Sequence, residues 1–249
     1  MNIDISGKVV VITGASKGIG RRLAIEFAKE KANVVINYFH SESSAKKLKK
    51  EIDTYNSNCI LVKADVTKES DVSHLYNKTL ECYGKIDVLI INAGICDDNF
   101  IQKMSVEQWQ RVIDVNLTGA FLCSNYFSKA IIQQNIGKII IISSLKGQEG
   151  CSRQINYSTS KAGLMGFAKA LAKDLGRYNI SVNVVCPGFI TTDLNRCDET
   201  KENIAIKRSV LPINSMLENL ANFTIFLSWE KTSGISGRIF NLDSRILDN

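Results

Sequence analysis

Two side chains four residues apart, Tyr157 and Lys161, are where chemistry is first legible in this sequence. Four residues is just over one helical turn, so on a helix the phenol and the ammonium share a face. An unperturbed tyrosine titrates near ~10, and bringing it to neutrality takes roughly 4 kcal/mol at about 1.36 kcal/mol per pH unit. One cation at about 4 Å supplies that much at an effective dielectric of about 20. The spacing therefore predicts a tyrosine tuned as a proton donor or acceptor. A surface tyrosine with a lysine one turn on is the alternative, and the pair taken alone favours it. Upstream, Ser143 and Ser144 end an apolar run and open a polar, Gly-rich loop that leads to Tyr157.

The elements that must position this pair can be read in order. Residues 8–12 are a short β-branched run, the mark of a strand buried on both faces. It ends in Thr13-Gly14-Ala15-Ser16-Lys17-Gly18-Ile19-Gly20, and a helical pattern follows over residues 21–30. A strand, a Gly-rich turn and a helix in that order offer free N–H groups to a pyrophosphate. The spacing Gly-x-x-x-Gly-x-Gly is a variant of the dinucleotide fingerprint. A second strand, residues 33–37, ends Asn37-Tyr38-Phe39-His40-Ser41, without the carboxylate that would accept from a 2′-hydroxyl of NAD. With Lys17 nearby, a 2′-phosphate is expected and hence NADP, in preference to NAD. A third strand, residues 59–63, is followed by Asp65 and Val66. Asp65 is expected either to bond the adenine amino group or to cap the helix starting near Lys68.

The remaining elements alternate in the same way. A strand over residues 86–91 ends in Asn92-Ala93-Gly94, small residues suited to close backbone approach. Residues 106–134 are helical in period with a soft interruption at residues 116–119, where Asn116 is disfavoured unless its side chain is used. A strand over 138–142 delivers Ser143 and Ser144 at its carboxyl end, the edge where open α/β sheets bind ligands. A helix over 156–178, a strand over 181–185 ending in Cys186-Pro187-Gly188, a helix over 217–229 and a strand over 238–242 complete the pattern. Residues 189–216 are polar and weakly periodic at first, and are expected to form a substrate lid. The alternation predicts one α/β domain over residues 1–249: a Rossmann-like, doubly wound parallel sheet of about seven strands with helices on both faces.

Composition agrees. A chain of 249 residues with 45% hydrophobic content fills one large core. The net charge of +6 is scattered or gathered on one lysine-rich helix, so no nucleic-acid partner is expected. No apolar run approaches the length of a membrane span and a strand pattern begins at once, so a cytoplasmic protein with no membrane partner is expected. Seven cysteines without a Cys-x-x-Cys and only two histidines suggest neither disulfides nor a metal site. Cys151, in the loop before Tyr157, is the one cysteine placed as a candidate reactive thiol, and an inert thiol is the favoured reading there.

Taken together, Thr13 to Gly20, Asp65, Asn92-Ala93-Gly94, Asn116, Ser144, Tyr157 with Lys161, and Pro187-Gly188 resemble the short-chain dehydrogenases/reductases over nearly the whole chain. Within that family, Asn92-Ala93-Gly94-Ile95 with Asp98-Asn99, Trp109, Val115-Asn116-Leu117-Thr118-Gly119 and the run Asn183 to Asp193 look most like the 3-oxoacyl-acyl-carrier-protein reductases. The resemblance implies a site of Ser144, Tyr157, Lys161 and Asn116. Tyr157 would protonate a carbonyl as hydride arrives, Ser144 would bond the same oxygen, Lys161 would lower the Tyr157 pKa and hold the nicotinamide ribose, and Asn116 would anchor a water. Ser144, thirteen residues before Tyr157, is preferred over Ser143. The cofactor, NADPH, would be held by Gly14, Ser16, Lys17, Gly18, Ile19, Gly20, Asn37, Tyr38, Asp65 and Val66 at one end. Asn92, Ala93, Gly94, Tyr157, Lys161, Pro187, Gly188, Ile190 and Thr192 would hold the other. A homotetramer or dimer is implied, with an acidic acyl carrier protein docking at Lys129, Lys138, Lys173 and Arg177.

The expected reaction is NADPH-dependent reduction of a 3-oxoacyl thioester in acyl-chain biosynthesis. The alternatives are a dehydrogenase of a sugar, polyol or other small alcohol, and a nucleotide-binding scaffold without turnover. Three stretches depart from the reductases. The end of the last strand reads Asn241-Leu242-Asp243-Ser244-Arg245 in place of Asp-Gly-Gly. The loop Leu145-Lys146-Gly147-Gln148-Glu149-Gly150-Cys151-Ser152-Arg153 carries charge, with Lys146 and Arg153 either suited to an anionic substrate group or simply solvated. Pro212-Ile213-Asn214-Ser215-Met216 replaces the usual helix start.

Overall fold

In the structure, a computed structural model that describes residues 3–190, 199–211 and 216–245, the apolar runs become strands of one sheet. These are β1 (Val9–Ile12), β2 (Asn33–Tyr38), β3 (Cys59–Lys63), β4 (Val88–Ile91), β5 (Gly137–Ile142), β6 (Ile180–Pro187) and β7 (Ile239–Leu242). Every pairing is parallel, and the spatial order is β3-β2-β1-β4-β5-β6-β7. Alternate residues of β1 face opposite layers: Val10 and Ile12 join one core cluster, Val9 and Val11 the other. The first cluster is closed by Leu23 and Phe27 of α1 (Gly18–Lys29), Leu48 and Ile52 of α2 (Glu42–Asp53) and Leu220 of α9 (Met216–Ser228). The second is closed by Leu75 of α3 (Glu69–Tyr83), Phe127 of α5 (Gly119–Gln134) and Leu164 of α7 (Ile155–Leu175). This is a single α/β domain, doubly wound, and the strand order reverses between β1 and β4, where such sheets open a crevice at their carboxyl edge. Among the described residues, no helix is long and apolar enough to cross a membrane.

Several boundaries differ from expectation for identifiable reasons. β4 begins at Val88 and not at Ile86, because the Gln134 side chain takes over both Ile86 backbone groups, accepting from N at 3.0 Å and donating to O at 2.8 Å. The soft interruption expected at residues 116–119 is a π-helical turn, Asp114–Thr118, between α4 (Val106–Ile113) and α5. α1 starts at Gly18, inside the Gly-rich turn. The polar loop 145–153 contains a short helix, α6 (Lys146–Glu149), and the expected lid contains α8 (Glu199–Arg208). The lysine-rich helix is α2, solvated on its charged face. Asp65 does not cap α3, whose N-cap is Lys68; its Oδ1 accepts from Thr67 N at 3.0 Å and Thr67 Oγ1 at 2.8 Å, closing a local turn.

Candidate active site

A cleft of about 1950 Å³ opens along the carboxyl edge of the sheet. One wall is the turn after β1, where Gly14 (φ +62°) and Gly18 (φ +54°) take conformations that side chains rarely adopt. A Cβ on Gly14 would lie 2.8 Å from Ala93 Cα, so the turn packs directly on the strand-end residues Asn92 to Gly94. Thr13 locks that contact: its hydroxyl accepts from Asn92 N at 2.9 Å and Ala93 N at 3.0 Å. Asn92 Nδ2 answers by donating to the Thr13 and Gly14 carbonyls at 3.0 and 3.1 Å. Asn37, fully buried, bridges β2 to both neighbours, accepting from Gly14 N at 3.1 Å and donating to Ala64 O at 2.9 Å.

Gly14, Ser16, Lys17, Gly18 and Ile19 line this wall, and Asn37, Tyr38, Asp65 and Val66 its far end. Asn92, Ala93 and Gly94 line the floor, with Pro187, Gly188 and Ile190 opposite. Gly20 does not reach the cleft. It lies behind the turn, where a Cβ would come within 2.6 Å of Asn92 Nδ2 and of Gly14 O. Thr192 lies outside the described residues.

The second wall carries Ser144, Tyr157 and Lys161, all three lining the same cleft. Tyr157 and Lys161 sit one turn apart on α7, as their spacing predicts, with the Lys161 Nζ 5.6 Å from the centroid of the tyrosine ring. Lys161 is 4% exposed and donates to Ile142 O at 2.9 Å. Burial pulls its pKa down to about 8. Burial pushes the Tyr157 phenol well above its usual value, the Cys96 sulfur adds to that rise, and the Ser144 hydroxyl opposes it. The expectation of a phenol lowered by Lys161 is thus reversed in the free protein. Spacing gives proximity, but the ammonium points at a carbonyl and both groups lose solvation. Ser143, the rival serine, is buried with its hydroxyl donated to Lys161 O at 2.8 Å, while Ser144 faces the phenol.

Asn116 stands behind Gly94, fully buried in the π-helical turn. Its Oδ1 accepts from Ile95 N at 2.8 Å; its Nδ2 donates to Ile95 O at 3.1 Å and to Ser160 Oγ at 2.9 Å. Ser160 Oγ in turn donates to Tyr157 O at 2.7 Å. Both N–H groups of Asn116 are therefore in use, and a water would find none free there. Ser160 and Cys96 escaped the sequence reading. Spacing did hint at Ser160, one residue before Lys161, but a serine inside a helix usually signals nothing more than a tolerated polar group.

Of the departures in the loop before Tyr157, Lys146 and Cys151 line the cleft, whereas Arg153 turns away, with its guanidinium 5.2 Å from the Phe100 ring centroid. Lys129, Lys173 and Arg177 are exposed. Lys138 is not: 4% exposed at the amino end of β5, its Nζ donates to Thr232 Oγ1 at 3.5 Å, and so buried it cannot meet a partner. Strand alternation would have turned it outward on a sheet open to water, but both faces of β5 are covered. Burial lowers its pKa to about 8. Among the described residues, no group of His, Cys, Asp and Glu is arranged to hold a metal ion.

A parallel sheet with its crevice at the β1/β4 reversal, a Gly-rich turn on one wall and a buried Tyr-Lys pair on the other define a class. Residues 8–203 match the family model described as short chain dehydrogenase, and the chain belongs to that family of oxidoreductases. It is 38% identical over 243 residues, 96% of each chain, to a 3-oxoacyl-[acyl-carrier-protein] reductase of Synechocystis sp.. It is 34% identical over 240 residues, 95% of this chain and 97% of the other, to the 3-oxoacyl-[acyl-carrier-protein] reductase of Staphylococcus epidermidis. A crystal structure from Sinorhizobium meliloti, described as a short-chain alcohol dehydrogenase, superposes with a TM-score of 0.89 over 97% of this chain and 96% of the other at 24% identity, a likeness of fold.

Proposed function

We propose that the protein is an NADPH-dependent reductase of 3-oxoacyl thioesters carried on an acyl carrier protein. The observation that supports this best is that Tyr157, Ser144 and Lys161 share one cleft with the Gly-rich turn. The residues present fit a dinucleotide: Gly14 and Gly18 leave the first wall without side chains where a pyrophosphate would lie against the start of α1. No carboxylate follows β2 in Asn37-Tyr38-Phe39-His40-Ser41, and Lys17 lines the same cleft, which favours a 2′-phosphate. Asp65 and Val66 would flank the adenine, and Pro187, Gly188 and Ile190 the nicotinamide. The bound cofactor supplies the hydride.

The chain's own residues do the rest. Tyr157 donates a proton to the ketone oxygen, and its raised pKa keeps that proton in place until the oxygen becomes basic. Ser144 donates a hydrogen bond to the same developing alkoxide. Lys161 holds the ribose, and its ammonium beside the phenol stabilises the tyrosinate left behind. Asn116 and Ser160 position the Tyr157 turn against Ile95. The exposed Lys129, Lys173 and Arg177 are docking candidates for an acidic carrier. The exposed small residues Ala162, Gly166 and Ala170 of α7 suit a face covered by a second copy in a dimer or tetramer.

Tyr157→Phe removes the proton donor without changing shape. Turnover of an acetoacetyl thioester with NADPH should fall about 10²–10⁴-fold. Retention within a few-fold would show that the donor has been assigned to the wrong residue. A second reading, a dehydrogenase of a small polar alcohol, is favoured by the polar cleft residues Lys146, Ser152 and Arg208. A substrate panel followed with NADPH and NADH separately distinguishes the two.

A further inference from the structure

The segment that leaves α8 is stitched to the tail that follows β7. Ser209 and Arg245 form an antiparallel bridge, and Val210 N donates to Ser244 O at 3.2 Å. Leu211 N donates to Ser244 Oγ at 3.2 Å, and that hydroxyl donates back to Leu211 O at 3.3 Å. The tail has its own anchor. Arg245 Nε bonds both oxygens of Asp243 at 2.9 Å and Nη2 bonds Oδ2 at 2.8 Å, with side-chain exposures of 6% and 3%. Arg245 N adds a bond to Asp243 Oδ1 at 2.6 Å. Asp243 Oδ2 occupies the space that a Cβ on residue 188 would need, so the pair seats against the end of β6 only because Gly188 is there.

On its other side α8 is held to α6, Arg208 Nη2 meeting Glu149 Oε1 at 2.9 Å. α6 is held to β7 by a reciprocal amide pair, Gln148 Nε2 to Asn241 Oδ1 at 2.7 Å and Asn241 Nδ2 to Gln148 Oε1 at 3.1 Å. Between these ties, Ile204, Ala205 and Arg208 face the cleft, and Arg245 lines it as well. Ser244, Arg245 and the loop of α6 are among the stretches in which the sequence departs from the reductases it resembles.

We infer that Arg245 is a positioning residue: paired with Asp243 it fixes the tail, the tail holds residues 209–211, and these fix the cleft-facing side of α8. Substrate affinity is set there, while the chemical step is left to the opposite wall. The mechanical part stands alone; the part concerning substrate rests on the reading of this cleft as a ketone reductase.

The test separates the two. Hydrogen exchange is followed in the full-length protein for peptides covering residues 204–211 and, as a control, β4 and β5. Arg245→Ala should speed exchange at 204–211 by about tenfold or more and leave the strands unchanged, because the opening is local. Arg245→Lys, which keeps the charge, should recover most of the protection. In steady-state assays, Arg245→Ala should raise KM for the ketone about tenfold with kcat within about threefold, the signature of lost ground-state binding. Unchanged exchange in folded Arg245→Ala, or a fall in kcat at constant KM, overturns the proposal. Should Arg245→Ala fail to fold, Ser244→Ala removes only the hydroxyl bonds to Leu211. It should speed exchange at 210–211, and no change there also overturns the proposal. If no ketone is turned over at all, the functional reading fails while the exchange result still decides the anchor.

Discussion

On the wall formed by the turn after β1, the holding bonds run from buried Thr13 and Asn37 and half-buried Asn92 into backbone groups. On the wall formed by α6, α8 and the tail, one backbone bridge at Ser209 and Arg245 is joined by ties that run from side chain to side chain: Glu149 to Arg208, Gln148 to Asn241, Asp243 to Arg245. The first arrangement tolerates almost no change, since the backbone itself is the contact. The second can be rewritten one pair at a time while the sheet stays intact. A cleft built this way keeps one ligand constant and leaves the other open to revision, which is what a family of one fold and many substrates requires.

Gly20→Ala attacks the first wall where it is tightest. Its Cβ would meet Asn92 Nδ2 and Gly14 O at 2.6 Å and Ala15 Cα at 2.8 Å, with backbone on two sides. Overpacking of this kind costs about 1–3 kcal/mol. Thermal melting should show that loss, and calorimetry with NADP⁺ should show weaker binding by at least an order of magnitude, about 1.4 kcal/mol. Binding within twofold of the parent would mean the turn yields more than its contacts suggest.

Arg208→Gln attacks the wall of α6, α8 and the tail at a solvent-facing pair, Arg208 being 46% exposed. Exposed pairs contribute about 0–1 kcal/mol. KM for the ketone should rise only about two- to fivefold, with cofactor binding unchanged. A larger effect on cofactor than on ketone would erase the distinction between the walls.

The same contrast explains what the sequence discloses. Strands buried on both faces are written as unbroken apolar runs, and the turn after β1 is written in glycines, because in both cases the local residues carry the whole reason for the local structure. α6 is held to α8 and to β7 by partners 59 and 93 residues away, the tail meets Leu211 across 33 residues, and no local pattern records such pairings. The Tyr157–Lys161 spacing correctly predicts a shared face. It does not predict burial, and burial decides the direction in which both groups titrate. Lys138 is buried against expectation for a related reason: a lysine at the start of a strand reads as solvated unless the covering elements are known.

That buried amine at the amino end of β5 makes folding a proton-linked reaction. Folded Lys138 loses its proton near pH 8, while the unfolded chain keeps it to about 10.4. Between those values the unfolded state binds more protons, so stability rises with pH across the window and the rise is absent below it. Lys138→Met should flatten that segment of the curve, a difference on the order of 2 kcal/mol between pH 7.5 and 10 by denaturant titration. Lys161 shares the sign of this effect and remains in the variant, so subtraction isolates Lys138. The amino edge of the sheet, away from the cleft, is then one place where alkalinity is felt by the fold independently of any ligand.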